Sequence, residues 1–400
     1  MQGTTFTRSL SALALLACGA ILLAGDLNPP AGPVAPTMKT LDEIEARTPI
    51  NLTNTPGDAD SLYKITAPGS YYLTGNVQAQ VFSSKHGIEI ASNGVTLDLN
   101  GFDLVGVPGM GLFDGVNVTL DNLVNIAVIN GSIRDWGDEG IDLNFTSARN
   151  CRVERVRVSG NTTGNGIRLG AGSAVIDCSV YNNSIGILTN AGCTILNCTV
   201  SSNSGSGIST GTTATIANCS VYLNGGGGIG TSSGANIANC ASFNNAGLGI
   251  SAGVGSTISA CTASGNGSSG ISISSGGAVI DSATRANAAD GIVASSGCLI
   301  RGNTCNSNGS PGNGAGIHIT STDNRIEGNN CTGADRGIDI DSTGNIVIRN
   351  TCSGNSVNWD IVAGNALAPI VFAANNAANV VGSTYAGSLG SSDPNANFTY

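Results

Sequence analysis

The chain reads Gly186-Ile-Leu-Thr-Asn-Ala-Gly-Cys-Thr-Ile-Leu-Asn-Cys-Thr-Val-Ser-Ser-Asn203, and the phrase then begins again. Gly-Ile pairs start at Gly166, Gly186, Gly207, Gly228, Gly249, Gly270, Gly291, Gly316 and Gly337, in steps of 20, 21, 21, 21, 21, 21, 25 and 21 residues. Less regular copies start at Gly87, Gly115 and Gly140. A fixed period of this length marks stacked supersecondary units. Each unit is a Gly-Ile, a Ser/Gly-rich turn, then Ile-x-x-Cys-x-Val-x-x-Asn. The apolar runs are too short for helices, so each unit predicts one coil of a parallel β-solenoid, ~4.8 Å from the next. About a dozen coils are expected by that spacing.

Aligning the units exposes columns. Cys178, Cys198, Cys219, Cys240 and Cys261 share one, taken over by Asn303, Asn329 and Asn350. Another carries Asn161, Asn183, Asn203, Asn224, Asn245, Asn266, Asn287, Asn308 and Asn355. It reads as an asparagine ladder at a turn, with amides bonded from coil to coil and αL backbone tolerated.

These columns, the Gly-Ile repeats and the run Val95-Thr-Leu-Asp-Leu-Asn-Gly-Phe102 resemble the right-handed parallel β-helix superfamily, the pectin-lyase-like fold, over roughly residues 85–365. Tyr71-Tyr-Leu-Thr-Gly-Asn76 and Asn397-Phe-Thr-Tyr400 are similar to segments of exported bacterial members. The repeat style is also similar to the β-helix proteins of nitrous-oxide reductase maturation. The resemblance implies an all-β fold and leaves activity open, because the superfamily includes lyases, hydrolases, epimerases, tailspikes and adhesins.

Composition narrows the classes. Of 400 residues, 58 are Gly, 10% are charged and 4% aromatic, and the net charge is -10. That balance excludes a general nucleic-acid binder, which needs a basic footprint. No stretch reaches the ~20 consecutive apolar residues of a membrane span. Arg8 followed by the apolar run Leu10 to Ala24 reads as a secretory signal over residues 1–24, with a Pro-rich linker at 25–37. Cys18 raises a lipoprotein signal as the rival reading, against which stand the apolar residues that follow it.

A solenoid must close its ends against edge pairing. Residues 38–84 are expected to cap the start, with a helix opened by the capping box Thr40-Leu-Asp-Glu43 and a hairpin over Tyr63 to Val77. Residues 85–365 carry the coils, and 366–400 form a C-terminal cap or tail. The 12 cysteines suggest a disulfide framework in an exported chain. Their once-per-coil recurrence argues for buried thiols instead, since parallel Cβ vectors ~4.8 Å apart suit no unstrained bridge. A metal wire along the column is the residual idea.

Charge locates any chemistry. From Cys178 to Ile280 there is no Asp, Glu, Lys, Arg or His, so general acid–base or metal-assisted catalysis has no groups to use there. One charged cluster runs from Arg134 to Arg168 and includes Asp138, Glu139, Asp142, Arg155 and Arg157. Arg155 and Arg157 alternate with valines and should face outward, and Asp142 and Arg168 should stack as an ion pair. The other cluster holds His318, Asp339 and Asp341, with His318 and Asp339 in one outward column. Solvated charge ladders are the bland reading of both.

The functional reading is a groove for a polyuronate. By resemblance to pectate lyases, arginine would act as base and carboxylates such as Asp138, Glu139, Asp339 or Asp341 would hold Ca²⁺. The arginine-proline, Gly-His-Gly and Asp-Pro-His signatures of catalytic relatives are missing from the repeats. The expectation is therefore an exported, non-catalytic scaffold interacting with polysaccharide. It carries no cofactor, and the sequence does not specify its oligomeric state. The alternative is a polysaccharide lyase or hydrolase acting on an acidic polymer with catalytic candidates Arg155, Arg157, Asp142, His318 and Asp339, and with Ca²⁺ if it is a lyase.

Overall fold

The structure is a computed structural model that describes residues 46–80, 84–144, 148–309, 312–372 and 391–400. The expected signal, linker and Thr40 capping box lie outside the described residues. Arg47–Tyr400 form one compact unit, all-β among the described residues.

Each coil contributes three short strands, as in Ile167–Leu169, Ala174–Ile176 and Ser179–Tyr181. The first strand of every coil joins a 14-stranded parallel sheet, the first face; the other two join a 28-stranded sheet. That second sheet folds at a left-handed residue between its two strands, giving a second and a third face. Asp177, Asn197, Asn218 and Asn239 occupy the bend with φ of 54, 55, 56 and 54°, a conformation that Asn and Asp tolerate best after Gly. Every coil sits in register on the next, so Ile187 lies between Ile167 and Ile208. Alternation puts the flanking residues of each Ile-x-Leu-type strand inside and the middle one outside.

The core is a set of columns. Isoleucines and valines such as Ile187, Ile195 and Val200 are fully buried. The Gly of each Gly-Ile pair is there because its neighbour coil leaves no room. A Cβ at Gly166 would lie 2.5 Å from Val180 Cγ1 and 2.7 Å from the Gly186 carbonyl oxygen. The asparagine ladder forms as expected: Asn203 Nδ2 donates to Asn224 Oδ1 and Asn224 Nδ2 to Asn245 Oδ1, both at 2.9 Å. A second ladder runs Asn303, Asn329, Asn350 and Asn397. The 11 cysteines among the described residues are free and buried, and thiols from Cys151 to Cys298 donate to backbone carbonyls, as Cys219 does to Ala217 at 3.3 Å.

Two expectations need correction. The left-handed backbone falls on the residue before each ladder asparagine, at Asn182, Ser202 and Asn244; that turn is what swings the following amide inward. Tyr63 to Val77 form no hairpin. Ser61–Ile65 pairs in parallel with His86–Ile90, and Gly69–Tyr72 with Val95–Asp98, so this segment is already a coil. With it the coils number about 15, which the dozen read from the repeat approximates. At the far end, Asn397–Thr399 pairs in parallel with Ile370–Phe372 and, through Phe398 and Thr399, with Thr351 and Cys352.

Candidate functional site

Because the coils stack in register, the middle residue of each first-face strand falls in one outward column. From the N-terminal end it reads Lys64, Glu89, Asn117, Asp142 and Arg168. Six neutral coils follow, carrying Leu188, Ser209, Gly230, Ser251, Ser272 and Val293. His318, Asp339 and Asp360 close the column. The first face is therefore a neutral strip with a charged group at each end, a pattern visible only once the register is known.

The N-terminal group is built on the first face and on the residues just before the glycines of its strands. Ligand atoms of Asp114, Glu139 and Asp142 all lie within 4.8 Å of one another. Asp114 Oδ1 accepts the Glu139 backbone N–H at 2.9 Å, and Asn165 Nδ2 donates to Glu139 Oε1 at 2.9 Å. Arg168 approaches Asp142 at 3.4 Å and Glu139 at 3.7 Å. Burial pushes Asp142 up to about 6 despite Arg168. Burial and the neighbouring Glu139 carboxyl raise Asp138 to about 6, and burial raises Glu139 as well. For Asp138 and Asp142 desolvation outweighs the attraction of the Arg168 guanidinium.

The C-terminal group is organised differently. His318 Nδ1 lies 3.3 Å from Asp290 Oδ2 and Nε2 lies 3.0 Å from Asp341 Oδ2. The Asp290 contact, outweighing burial, raises the imidazole to about 9, while burial raises Asp339. His318 and Asp339 are register partners, so this pairing is as expected. Asp290 was not expected; it precedes Gly291, a position the column alignment left unused. Asp114 precedes Gly115 in the same way, and Asn117 went unnoticed because the early copies are irregular.

Arg155 and Arg157 do not join Asp142. Arg152–Ser159 belongs to the second sheet, whereas Asp142 is on the first face. Arg155 sits at the bend with φ 53°, donates to Asn130 Oδ1 at 2.8 Å and pairs with Glu154. Arg157 is exposed on the third face, in register with Ser132 and Ser179. Both point outward as expected, yet not toward the carboxylates that a lyase groove would need. The partner of Asp142 is Arg168, as its register predicts.

A right handed beta helix region family model matches residues 86–254 and 139–287, and one for the periplasmic copper-binding protein NosD matches residues 226–390. No curated protein matches the chain in sequence. Among solved structures, the Azotobacter vinelandii mannuronan C-5 epimerase AlgE4 A-module is 17% identical, with a TM-score of 0.52 over 75% of this chain and 90% of that one. The AlgE6 A-module of the same organism is 18% identical, with a TM-score of 0.52 over 76% of this chain and 91% of that one. The Dettilon tailspike protein is 20% identical, with a TM-score of 0.50 over 72% and 62%. At these identities the likeness is one of fold.

Proposed function

The chain belongs to the right-handed β-helix family, whose members expose their coils as long parallel faces, and we propose that this one is an exported scaffold that binds a polysaccharide along its first face without cleaving it. The observation that carries the reading is the neutral strip from Leu188 to Val293. Its residues are three serines and a glycine between the aliphatic Leu188 and Val293, all half-buried, and it lies between two charged ends. At ~4.8 Å per coil, six coils give a flat track of roughly 30 Å, long enough for several sugar units laid along the axis. Serine hydroxyls there can donate and accept toward sugar hydroxyls. The fold neighbours include two epimerases of mannuronan, a polysaccharide, which supports a glycan partner, and the NosD match is to a periplasmic family, which supports export.

The enzymatic alternative keeps Arg168 over Asp142 at one end and His318 beside Asp339 at the other, while Arg155 is committed to Glu154 and Asn130. One experiment addresses both readings. The purified protein is incubated with pectate, alginate, chondroitin and agar, with and without Ca²⁺. Sedimentation with the polymer reports binding; unsaturated and reducing ends report cleavage. Binding without new ends is the expected result. New ends from any polymer would overturn the scaffold reading, and no sedimentation with any of them would remove the glycan.

A further inference from the structure

We propose that Asp114, Asn117, Glu139 and Asp142 form a binding site for a hard divalent cation of the calcium class, clipping two adjacent coils together at the N-terminal end of the first face. The residues come in two matching sets: Asp114 and Asn117 from one coil, Glu139 and Asp142 from the next, with Asn117 and Asp142 in direct register. Three carboxylates place ligand atoms within 4.8 Å of one another. Asn117 supplies an independent observation. It is only 5% exposed, and its Oδ1 is buried with no hydrogen-bond partner. A buried amide oxygen left unpaired carries its full desolvation penalty, so its retention beside three carboxylates calls for a positively charged or donor partner that the protein itself does not provide.

Comparison within the molecule separates this group from two others of similar make-up. Asp58 and Glu89, grouped with Asp60, have Lys64 Nζ at 2.7 Å from each. The His318 group carries its own cation, an imidazole held between Asp290 and Asp341. Glu139 and Asp142 have Arg168, at 3.7 and 3.4 Å, and Asp114 has the His86 ring, at 3.3 Å. His86 adds little: its Nδ1 accepts the Asp114 backbone N–H at 2.9 Å, so that nitrogen cannot also donate to the Asp114 carboxylate. The donors are all oxygen, which selects Ca²⁺ or Mg²⁺ over thiophilic or imidazole-seeking metals. This site stands whether or not a polymer binds the strip.

The test is calorimetric titration of the purified protein with CaCl₂ after EDTA treatment, paired with thermal unfolding. The expected result is one Ca²⁺ per chain, a higher unfolding midpoint with CaCl₂, and binding weaker by at least about tenfold in Glu139→Gln and Asp142→Asn. Asn117→Asp guards against variants that simply misfold: it should lower the midpoint in EDTA by adding a fifth carboxylate, and CaCl₂ should restore it. Arg157→Ala, exposed on the third face, should leave the titration unchanged. Absence of binding at millimolar CaCl₂, equal binding in Glu139→Gln and Asp142→Asn, or an Asn117→Asp midpoint that CaCl₂ does not raise would each overturn the proposal.

Discussion

Gly166 shows how tightly a single position is specified. Its backbone needs no unusual conformation; the missing Cβ makes room for Val180 and for the Gly186 carbonyl of the next coil. Gly166→Ala forces coils apart, and overpacking of this kind costs about 1–3 kcal/mol, read as a lower urea midpoint with an unchanged slope. Asn224 is specified by bonding rather than space. Its Oδ1 accepts both the backbone N–H of Asn203 at 3.1 Å and the Asn203 side-chain amide at 2.9 Å. Asn224→Leu orphans two buried donors at about 1–3 kcal/mol each, so its loss should exceed that of an exposed change such as Thr212→Ala. Equal losses would mean the ladder contributes little beyond packing.

The strand and its corner are the next scale, and here the sequence was unevenly legible. Regular coils announced themselves because Gly-Ile returns every 21 residues between Gly186 and Gly291. The early ones did not: Gly87, Gly115, Gly140 and Gly166 are 28, 25 and 26 residues apart, since their turns carry insertions, and the coil before them has Leu62-Tyr63 where Gly-Ile would stand. The same irregularity hid Asp114 and Asn117. His318 and Asp339 were legible as column partners, whereas Asp290 was not, because it sits outside the strand and reaches His318 from the turn before the preceding one. That clip has a pH signature. The folded pKa of His318, about 9, lies above the ordinary 6.5, so protonation favours the fold. Its stabilisation is complete below pH 6.5 and is lost as pH rises through 9. The stability difference between the parent and His318→Asn should shrink across that window; a difference constant with pH would show that Asp290 and Asp341 do not hold the imidazolium.

At the scale of the whole molecule, parallel stacking turns a residue's place in the repeat into a place on a face. Charge is thereby sorted: one end carries surplus carboxylates, the other a self-neutralised histidine, and the six coils between carry neither sign on the outward column. No helix among the described residues is long and apolar enough to cross a membrane. The distribution explains why motif reading stopped short of an activity. Asp142 and the arginines of Arg152–Ser159, near neighbours in sequence, are parted onto different sheets by the bends of the coil, and adjacency along the chain was the only proximity a sequence offers. The measurement that bears most directly on the proposed track is polymer co-sedimentation of two tryptophan variants, Ser251→Trp on the first face and Ser220→Trp on the third, against the parent protein. The account predicts that Ser251→Trp abolishes binding and Ser220→Trp leaves it intact; retained binding in Ser251→Trp, or loss only in Ser220→Trp, would contradict it.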